Sequence, residues 1–312
     1  MNNIELENQS LETNKINYNK NLQQEFLSEL ELKGRSKNTL KNYRTDLECF
    51  NQYLFKEQKN TNIAQFTESE MVEYGKYLQV KYTSDNSRRR RVQALRIFFD
   101  FLVEKKIFST NPVLKIPISP KFVDIPRPAT LVEIKTLWSY LLEESKSTNK
   151  IISLSAKRNQ IIVLLIYGSA LKVSDLEKLT VDHIFIDNNP RVLITTTKRD
   201  PYSIPLPPIF PIIYQDYLDS LEELKSTANL EFNKLLYNAN PYRILSGGLS
   251  SRGIETIFSE LRKKLLLNIT AKSLRQACFF KWIQQKHSDS LIKEWLGVAP
   301  SYGLRPYKIS QF

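Results

Sequence analysis

Five prolines fall close together about one third of the way along the chain, at Pro112, Pro117, Pro120, Pro126 and Pro128. Proline has no backbone N–H and a fixed φ, so a helix cannot propagate through this segment. The whole chain has 312 residues, which is more than one hydrophobic core usually organises. We therefore predict two domains, joined by a proline-rich linker over residues 112–129.

The first predicted domain covers residues 20–111. It follows a polar, Asn-rich segment, residues 1–19, which we interpret as a flexible leader. Apolar residues recur at three- and four-residue intervals in four stretches of this domain, which predicts four short helices. Ser36 is placed to cap the second helix and Ser87 the fourth. Together these helices predict one small bundle.

The second predicted domain covers residues 130–312. Leu131–Leu142 and Asn159–Tyr167 show helical periodicity, whereas Arg191–Thr196 and Tyr202–Leu206 are β-prone runs separated by a short polar turn. The remainder is mostly helical in pattern. The predicted fold class is therefore mainly α, with a helix-rich second domain that carries a small antiparallel β-sheet.

The formal net charge of +12 is unevenly distributed. Residues 1–32 carry a net charge of −4, residues 33–111 carry +7 and residues 112–312 carry +9. Two basic domains suit a partner with a long, regular array of negative charge, which favours nucleic acid first and an anionic membrane surface second. No basic helix leaves an apolar face for lipid, so nucleic acid is the preferred interpretation.

Cysteine and histidine usage excludes several other classes. Cys49 and Cys278 lie far apart in sequence, which indicates no disulfide framework and favours the cytoplasm. Neither they nor His183 and His287 show the close ligand spacing of a zinc site. The longest apolar run, Ile161–Tyr167, is too short to cross a bilayer, and the acidic start of the chain lacks the layout of a signal peptide.

The C-terminal segment carries a set of spaced motifs. Residues 270–275 are Thr-Ala-Lys-Ser-Leu-Arg, residues 295–298 are Trp-Leu-Gly-Val, and Tyr307 follows. This spacing resembles the tyrosine recombinase (phage integrase) family, in Xer-like form, whose pattern is His-x-x-Arg, Leu-Gly-His and a terminal Tyr. Residues 167–176 resemble the family's box around its first catalytic Arg. The resemblance spans roughly residues 20–307.

The resemblance implies a DNA breaking-rejoining enzyme fold, with a SAM-like core-binding domain of four helices before a catalytic-type domain. In that family a Tyr hydroxyl attacks a DNA phosphate, forms a 3′-phosphotyrosine and releases a 5′-hydroxyl without a metal, so no cofactor is expected. Three positions keep the family's catalytic residue. They are Tyr307 as the nucleophile, Arg275, and Lys198 in the turn of the predicted hairpin.

Three further family positions are substituted. Lys172 replaces an Arg and so keeps the positive charge but loses the bidentate fork. Lys272 replaces a His, and an ammonium has no lone pair to accept the Tyr proton. Val298 replaces a His or Trp and can donate no hydrogen bond. This degenerate set predicts weakened or partner-dependent strand cleavage.

Two basic clusters in the first domain are candidates for phosphate contacts, because both lie at predicted helix starts. A solvated charged face is the alternative interpretation, and charge alone favours neither. The candidate DNA-binding residues are Lys37, Lys41, Arg44, Arg88, Arg89, Arg90 and Arg91.

Two functions therefore stay open at the level of sequence. The first is site-specific binding of double-stranded DNA with recombination or integration, in homo- or hetero-oligomers on the DNA and away from membranes. The second is a catalytically inactive DNA-binding relative with an architectural or regulatory role. Trapping of a covalent protein–DNA adduct would separate them.

Overall fold

The computed structural model describes residues 19–56, 63, 66–117, 126–196, 199–239, 245–304 and 307–308. The chain divides into two compact units, Met1–Val123 and Asp124–Phe312. Both are mainly helical, and the second contains small antiparallel sheets, which confirms the predicted fold class. No helix in the described part of the chain is long and apolar enough to cross a membrane.

Four α-helices lie in the described residues of the first unit. They are α1 (residues 19–32), α2 (Lys37–Lys56), α3 (Glu68–Lys81) and α4 (Asp85–Glu104). Residues 1–18 of the predicted leader lie outside the described residues, but its last residue, Asn19, is already buried in α1. There its side-chain oxygen accepts a hydrogen bond from the Ile63 N–H at 3.2 Å.

The helix starts of this unit follow capping chemistry. The Ser36 hydroxyl accepts from the Thr39 N–H at 3.2 Å, so the predicted cap of α2 is confirmed. The predicted cap of α4 by Ser87 is wrong. The Ser84 carbonyl accepts from the N–H groups of Ser87 and Arg88, both at 3.1 Å, so the helix begins at Asp85 and Ser87 lies inside its first turn.

Aromatic rings fill the core of the first unit. Phe50 packs edge to face on Tyr74, with 5.0 Å between ring centroids, and Phe98 does the same with Phe99 at 5.6 Å. Such edge-to-face pairs stabilise the folded unit beyond what the burial of their apolar area contributes. A 3₁₀ turn at Pro112–Lys115 follows α4, and Val113 within it is fully buried in this core. The first unit therefore extends into the segment predicted as linker.

The second unit contains seven helices among its described residues. They are α5 (Leu131–Glu144), α6 (Lys150–Val163), α7 (Val173–Leu176), α8 (Phe210–Ala228), α9 (Ser251–Leu265), α10 (Ala271–Gln284) and α11 (Asp289–Trp295). The helix predicted from Asn159 begins about two and a half turns earlier, because the Asn149 side chain accepts from the Ile151 N–H at 3.0 Å and starts α6 there. A π-helical turn, Leu164–Gly168, continues α6.

Two small antiparallel sheets accompany these helices. The first has the order β1 (Ile184–Phe185), β2 (Arg191–Thr196) and β3 (Arg199–Pro205), so the predicted hairpin is present and gains a short third strand. The second, unpredicted, pairs β4 (Tyr237–Ala239) with β5 (Leu245–Gly247).

Helix α10 is packed into the hydrophobic core of the second unit. Leu274, Cys278 and Phe279 are buried in the same core as residues of α6, α8 and α9. The Ala129 N–H donates to the Ser273 carbonyl at 3.0 Å, which ties the described start of this unit to the first turn of α10. Because its buried side chains share a core with three other helices, α10 is a rigid support for the side chains that it projects.

Candidate functional site

The first turn of α10 forms one wall of a cleft of about 430 Å³. Thr270 caps the helix, since its hydroxyl accepts from the Ser273 N–H at 3.0 Å. The cleft brings together three of the six predicted site positions, Lys172, Lys272 and Arg275, from segments about 100 residues apart in sequence. Val298 and Tyr307 are not among the described residues that line it.

The Arg275 guanidinium is anchored by a main-chain carbonyl. Its Nε donates to the Ala170 oxygen at 2.6 Å, and Ala170 has a positive φ of 52°. In the described part of the chain its two terminal nitrogens make no hydrogen bond and no ion pair. Because the Nε bond fixes the plane of the group, the outer edge of the fork remains available to an anion.

The segment that carries Ala170 is positioned by the π-helical turn before it. A Cβ on Gly168 would lie 2.7 Å from the Pro207 ring, so only glycine allows the chain to pass at this point. Four residues beyond the turn's end the chain reaches Lys172, which is exposed and precedes α7. Its N–H donates to the Asp175 carboxylate at 3.1 Å, so the backbone at Lys172 is fixed while its ammonium extends from an exposed position.

Tyr307 lies against the same helix, further along. Its ring packs on Phe279, with centroids 4.2 Å apart, and on Phe280 at 6.0 Å. Phe279 is one turn beyond Arg275, about 6 Å along the axis of α10. Phe279 is buried, and both phenylalanines support the Tyr307 ring.

Val298 lies just beyond the end of helix α11. Gly297 has a φ of +62°, and the N–H groups of Gly297 and Val298 donate to the carbonyls of Glu294 and Lys293 at 3.0 and 3.1 Å. This is the usual αL termination of a helix. The Val298 side chain is half-buried against the core of the unit and supplies an apolar surface only.

Lys198, predicted in the hairpin turn, lies outside the described residues. The strands on both sides are described, and Thr196 pairs with Arg199 across the gap. Three residues near the site were missed by sequence reasoning, namely Arg199, Tyr202 and Arg262. Arg262 lines the cleft from the last turn of α9. It is followed by other basic residues, and a group of cations at a helix C-terminus is common without any ligand, so the sequence did not single it out.

In the first unit the predicted basic residues of α2 lie on its exposed face. Lys37, Lys41 and Arg44 recur at helical spacing and are all exposed, whereas Leu40 and Leu47 are buried on the other side of the helix. A duplex backbone could therefore contact all three side chains without disturbing the core.

The four arginines of α4 have different environments. Arg88 donates to the Tyr82 carbonyl at 2.9 Å and pairs with Asp85. Arg90 donates to the buried Asp46 carboxylate at 2.9 Å.

The other two members also differ from each other. Arg91 stacks on the Tyr82 ring, 3.7 Å from its centroid, and donates to the Ser87 carbonyl at 3.0 Å. Arg89 lines a cavity of about 420 Å³ with polar residues of α2 such as Thr39 and Asn42, and its buried Nη1 has no hydrogen-bond partner among the described residues.

The first unit matches a known domain. Residues 24–106 match the phage integrase N-terminal SAM-like domain. This range contains most of α1 and all of α2, α3 and α4, so the match coincides with the helical bundle of the first unit.

Two curated relatives extend the similarity. Tyrosine recombinase XerC of Anoxybacillus flavithermus is 24% identical over 287 residues, 91% of this chain and 90% of the relative. Tyrosine recombinase XerD of Halalkalibacterium halodurans is 27% identical over 168 residues, so this chain matches about half, 54%, of that relative's length.

Solved structures share the fold at lower identity. A lambda integrase dimer bound to a COC′ core site aligns with a TM-score of 0.64 at 17% identity, over 89% of this chain and 93% of that one. XerH recombinase in a pre-cleavage complex with its difH substrate aligns with a TM-score of 0.65 at 16% identity, over 86% of this chain and 76% of that one.

Proposed function

We propose that this chain is a Xer-like tyrosine recombinase that binds a specific site in double-stranded DNA and cleaves one strand for recombination or integration. The observation that carries the proposal is the cleft at the start of α10, which is lined by four cationic residues, Lys172, Arg262, Lys272 and Arg275, while Tyr307 packs on Phe279 one turn further along the helix. Phosphoryl transfer needs this combination of a nucleophile and fixed positive donors.

In the proposed reaction the Tyr307 oxygen attacks the phosphorus and the bond to the 5′ oxygen breaks. A 3′-phosphotyrosine forms, the phenol loses its proton and the leaving 5′ oxygen gains one. Arg275 is suited to hold a non-bridging oxygen, since its Nε is already bound to Ala170 and its fork is preorganised. Lys172 and Lys272 add attraction, and Lys198 keeps its proposed role as a catalytic lysine.

Cleavage is proposed to be slow or dependent on a partner subunit. Val298 offers no donor, Lys172 lacks a fork and Lys272 as an ammonium cannot take the Tyr307 proton. The second candidate, a DNA-binding protein without cleavage, is favoured by one observation: Tyr307 packs on Phe279 and does not line the cleft. An oligomer on DNA is proposed by analogy with the lambda integrase dimer bound to its core site.

We also propose a cytoplasmic location. Cys49 and Cys278 are free and buried thiols, which suits a reducing compartment, and burial raises the pKa of Cys278 to about 12. We further propose that residues 20–111 form the DNA-binding domain and residues 130–312 the catalytic-type domain.

A suicide duplex tests the function directly. A duplex first selected by the protein from a random-sequence pool is nicked close to the bound centre, so that a cleaved strand diffuses away and the covalent adduct accumulates. We expect an adduct for the wild type and none for Tyr307→Phe, with duplex affinity nearly unchanged, because only the nucleophilic oxygen is removed. Tyr302→Phe, at an exposed tyrosine five residues earlier, is the matched control.

Absence of an adduct with the wild type on its selected duplex, with tight and sequence-specific binding, would establish the non-cleaving candidate instead. An adduct that survives in Tyr307→Phe would show that another residue is the nucleophile. Loss of all duplex binding would overturn both candidates.

A further inference from the structure

Strand β3 contacts the end of helix α11. A Cβ built on Gly297 would lie 2.7 Å from Cζ of Tyr202, so the hydroxyl end of that phenol rests on the Gly297 main chain. Gly297 directly precedes Val298, the site position that supplies no hydrogen-bond donor. The side chains of β3 therefore reach the part of the site where a donor is lacking.

Tyr202 supports an arginine at this place. The Arg199 guanidinium stacks on the Tyr202 ring, with Cζ 3.7 Å from the ring centroid, and its Nη1 would lie 3.3 Å from a Cβ on Gly297. Within the described part of the chain the Arg199 guanidinium makes no ion pair and no hydrogen bond. Stacking fixes the plane of a guanidinium and leaves its N–H groups at the edge, where they can bind an anion.

The charge of Arg199 lies in the same region as that of Arg275. The pKa of Tyr202 is raised, first by burial and then by the Asp175 carboxylate, whereas Arg199 and Arg275 both act to lower it. Two guanidiniums from elements 76 residues apart thus act on one phenol. The surroundings of Tyr202 thus include Arg199 of β3, Arg275 of the cleft and the Asp175 carboxylate.

We propose that Arg199 binds the reacting DNA phosphate and that Tyr202 is its positioning residue. The inference rests on the proposed function and deepens it, since Arg199 supplies a fork to a non-bridging oxygen on the side where Val298 and Lys172 do not. No proton or bond of Arg199 changes in the reaction. Gly297 is required at its position because any side chain would displace the stacked pair.

The same sheet offers a matched control. Arg191, at the far end of β2, also lies over an aromatic ring, with its Cζ 4.7 Å from the centroid of Phe185. Its guanidinium is already occupied, because Nη1 donates to the Asp187 carboxylate at 2.8 Å. Replacing Arg191 removes one stacked arginine from the sheet without touching the proposed phosphate site.

The experiment uses the full chain and the duplex selected from the random pool. Affinity is measured from 50 to 300 mM salt, and adduct formation on the nicked duplex is timed. For Arg199→Ala we expect the slope of log affinity against log salt to fall by about 0.9, the value of one lost phosphate contact, and the adduct rate to fall by about 10²-fold. Arg191→Ala should match the wild type in both.

Two conservative variants separate positioning from charge. Arg199→Lys should restore the salt slope but not the adduct rate, because a lysine keeps the charge and loses the fork. Tyr202→Phe keeps the ring and should stay within a few fold of the wild-type rate, whereas Tyr202→Ala should lower the rate with little change in affinity. Arg199→Gln replaces Arg199→Ala where thermal melting shows that the alanine variant does not fold.

The outcomes distinguish this inference from the function on which it rests. Duplex binding by the wild type, with Arg199→Ala equal to Arg191→Ala in salt slope and adduct rate, overturns the role of Arg199 and leaves the proposed function standing. If the wild type binds its duplex but forms no adduct, the salt slope alone decides. If the wild type binds no duplex, both proposals fall.

Discussion

The two groups of arginines in this protein are built differently. The run Arg88–Arg91 on α4 is the densest positive charge in the sequence, and three of its four members are bound to groups of their own unit: a carbonyl and a carboxylate, the buried Asp46, and an aromatic ring. The arginines of the second unit's site, Arg199 and Arg275, are far apart in sequence, and neither forms an ion pair with a carboxylate of the described chain.

The difference shows that density of charge in a sequence is a poor guide to charge available for a ligand. An arginine already bound to a carboxylate must exchange one partner for another when it binds phosphate, and the gain is correspondingly small. An arginine fixed through its Nε or its ring face is already ordered before the anion binds. It therefore loses little further side-chain entropy on binding and keeps its N–H edge for the anion. We therefore expect the two groups to respond differently to mutation.

The largest expected effect is at Arg275. Arg275→Ala should lower the rate of adduct formation by about 10²–10³-fold, because it removes a preorganised transition-state donor. Arg275→Lys should recover only part of that loss. Timed adduct formation on the nicked duplex measures both. A rate for Arg275→Ala within a few fold of the wild type would remove the distinction between the two groups.

The next effect concerns the three substituted family positions. Lys172→Arg, Lys272→His and Val298→His together should raise the adduct rate by about 10²-fold, since they restore a fork, a proton acceptor and a donor. The rate gains of the three single variants should together be smaller than the gain of the triple variant, because such groups act as a unit. A wild-type adduct rate that the triple variant does not improve would show that the lysines are working substitutes.

Within the α4 run itself we expect a split between stability and binding. Arg90→Ala should lower the free energy of unfolding by about 1–2 kcal/mol, since Asp46 remains buried without its cation while the exposed guanidinium limits the loss. Arg89→Ala should leave stability unchanged and weaken duplex binding a few fold, with a smaller salt slope. Chemical denaturation and the salt titration measure the two variants side by side, and identical behaviour would contradict the split.

The smallest effect is a pH dependence at Asp46. Burial raises the pKa of this carboxyl, and the attraction of Arg90 only partly opposes the shift. Since the folded state then holds the proton more tightly than the unfolded state, where the pKa is about 3.9, stability falls as pH rises from that value through the raised pKa. The loss should be absent in Asp46→Asn, and the difference between the two denaturation series isolates it from other carboxyls.

Much of the helical framework follows from local sequence. The three- and four-residue spacing of apolar residues predicts α2, and the β-prone run predicts β2 with its observed bounds, Arg191–Thr196. Ser84 and Ser87 show the limit of such reasoning. Both are good caps three residues apart, and the choice between them depends on where the chain turns into the bundle, which no local pattern encodes.

The residues of the candidate site likewise divide into those that the sequence predicts and those that it does not. The motif spacing predicts that Lys172, Lys272 and Arg275 belong together, and the structure brings them to one cleft. Arg199 and Tyr202 could not be predicted, because their importance depends on the approach of β3 to Gly297, almost a hundred residues later. The partners of Arg88 and Arg90 could not be predicted either, because a run of arginines in a sequence does not indicate which carboxylates pack against it in the fold.

The Ala170 carbonyl that anchors Arg275 has a consequence for how this site can change over generations. Every amino acid carries that oxygen, so no replacement of a side chain at position 170 can delete the anchor as long as the backbone keeps its path. Neighbouring positions such as 172 are free to vary while the arginine keeps its orientation.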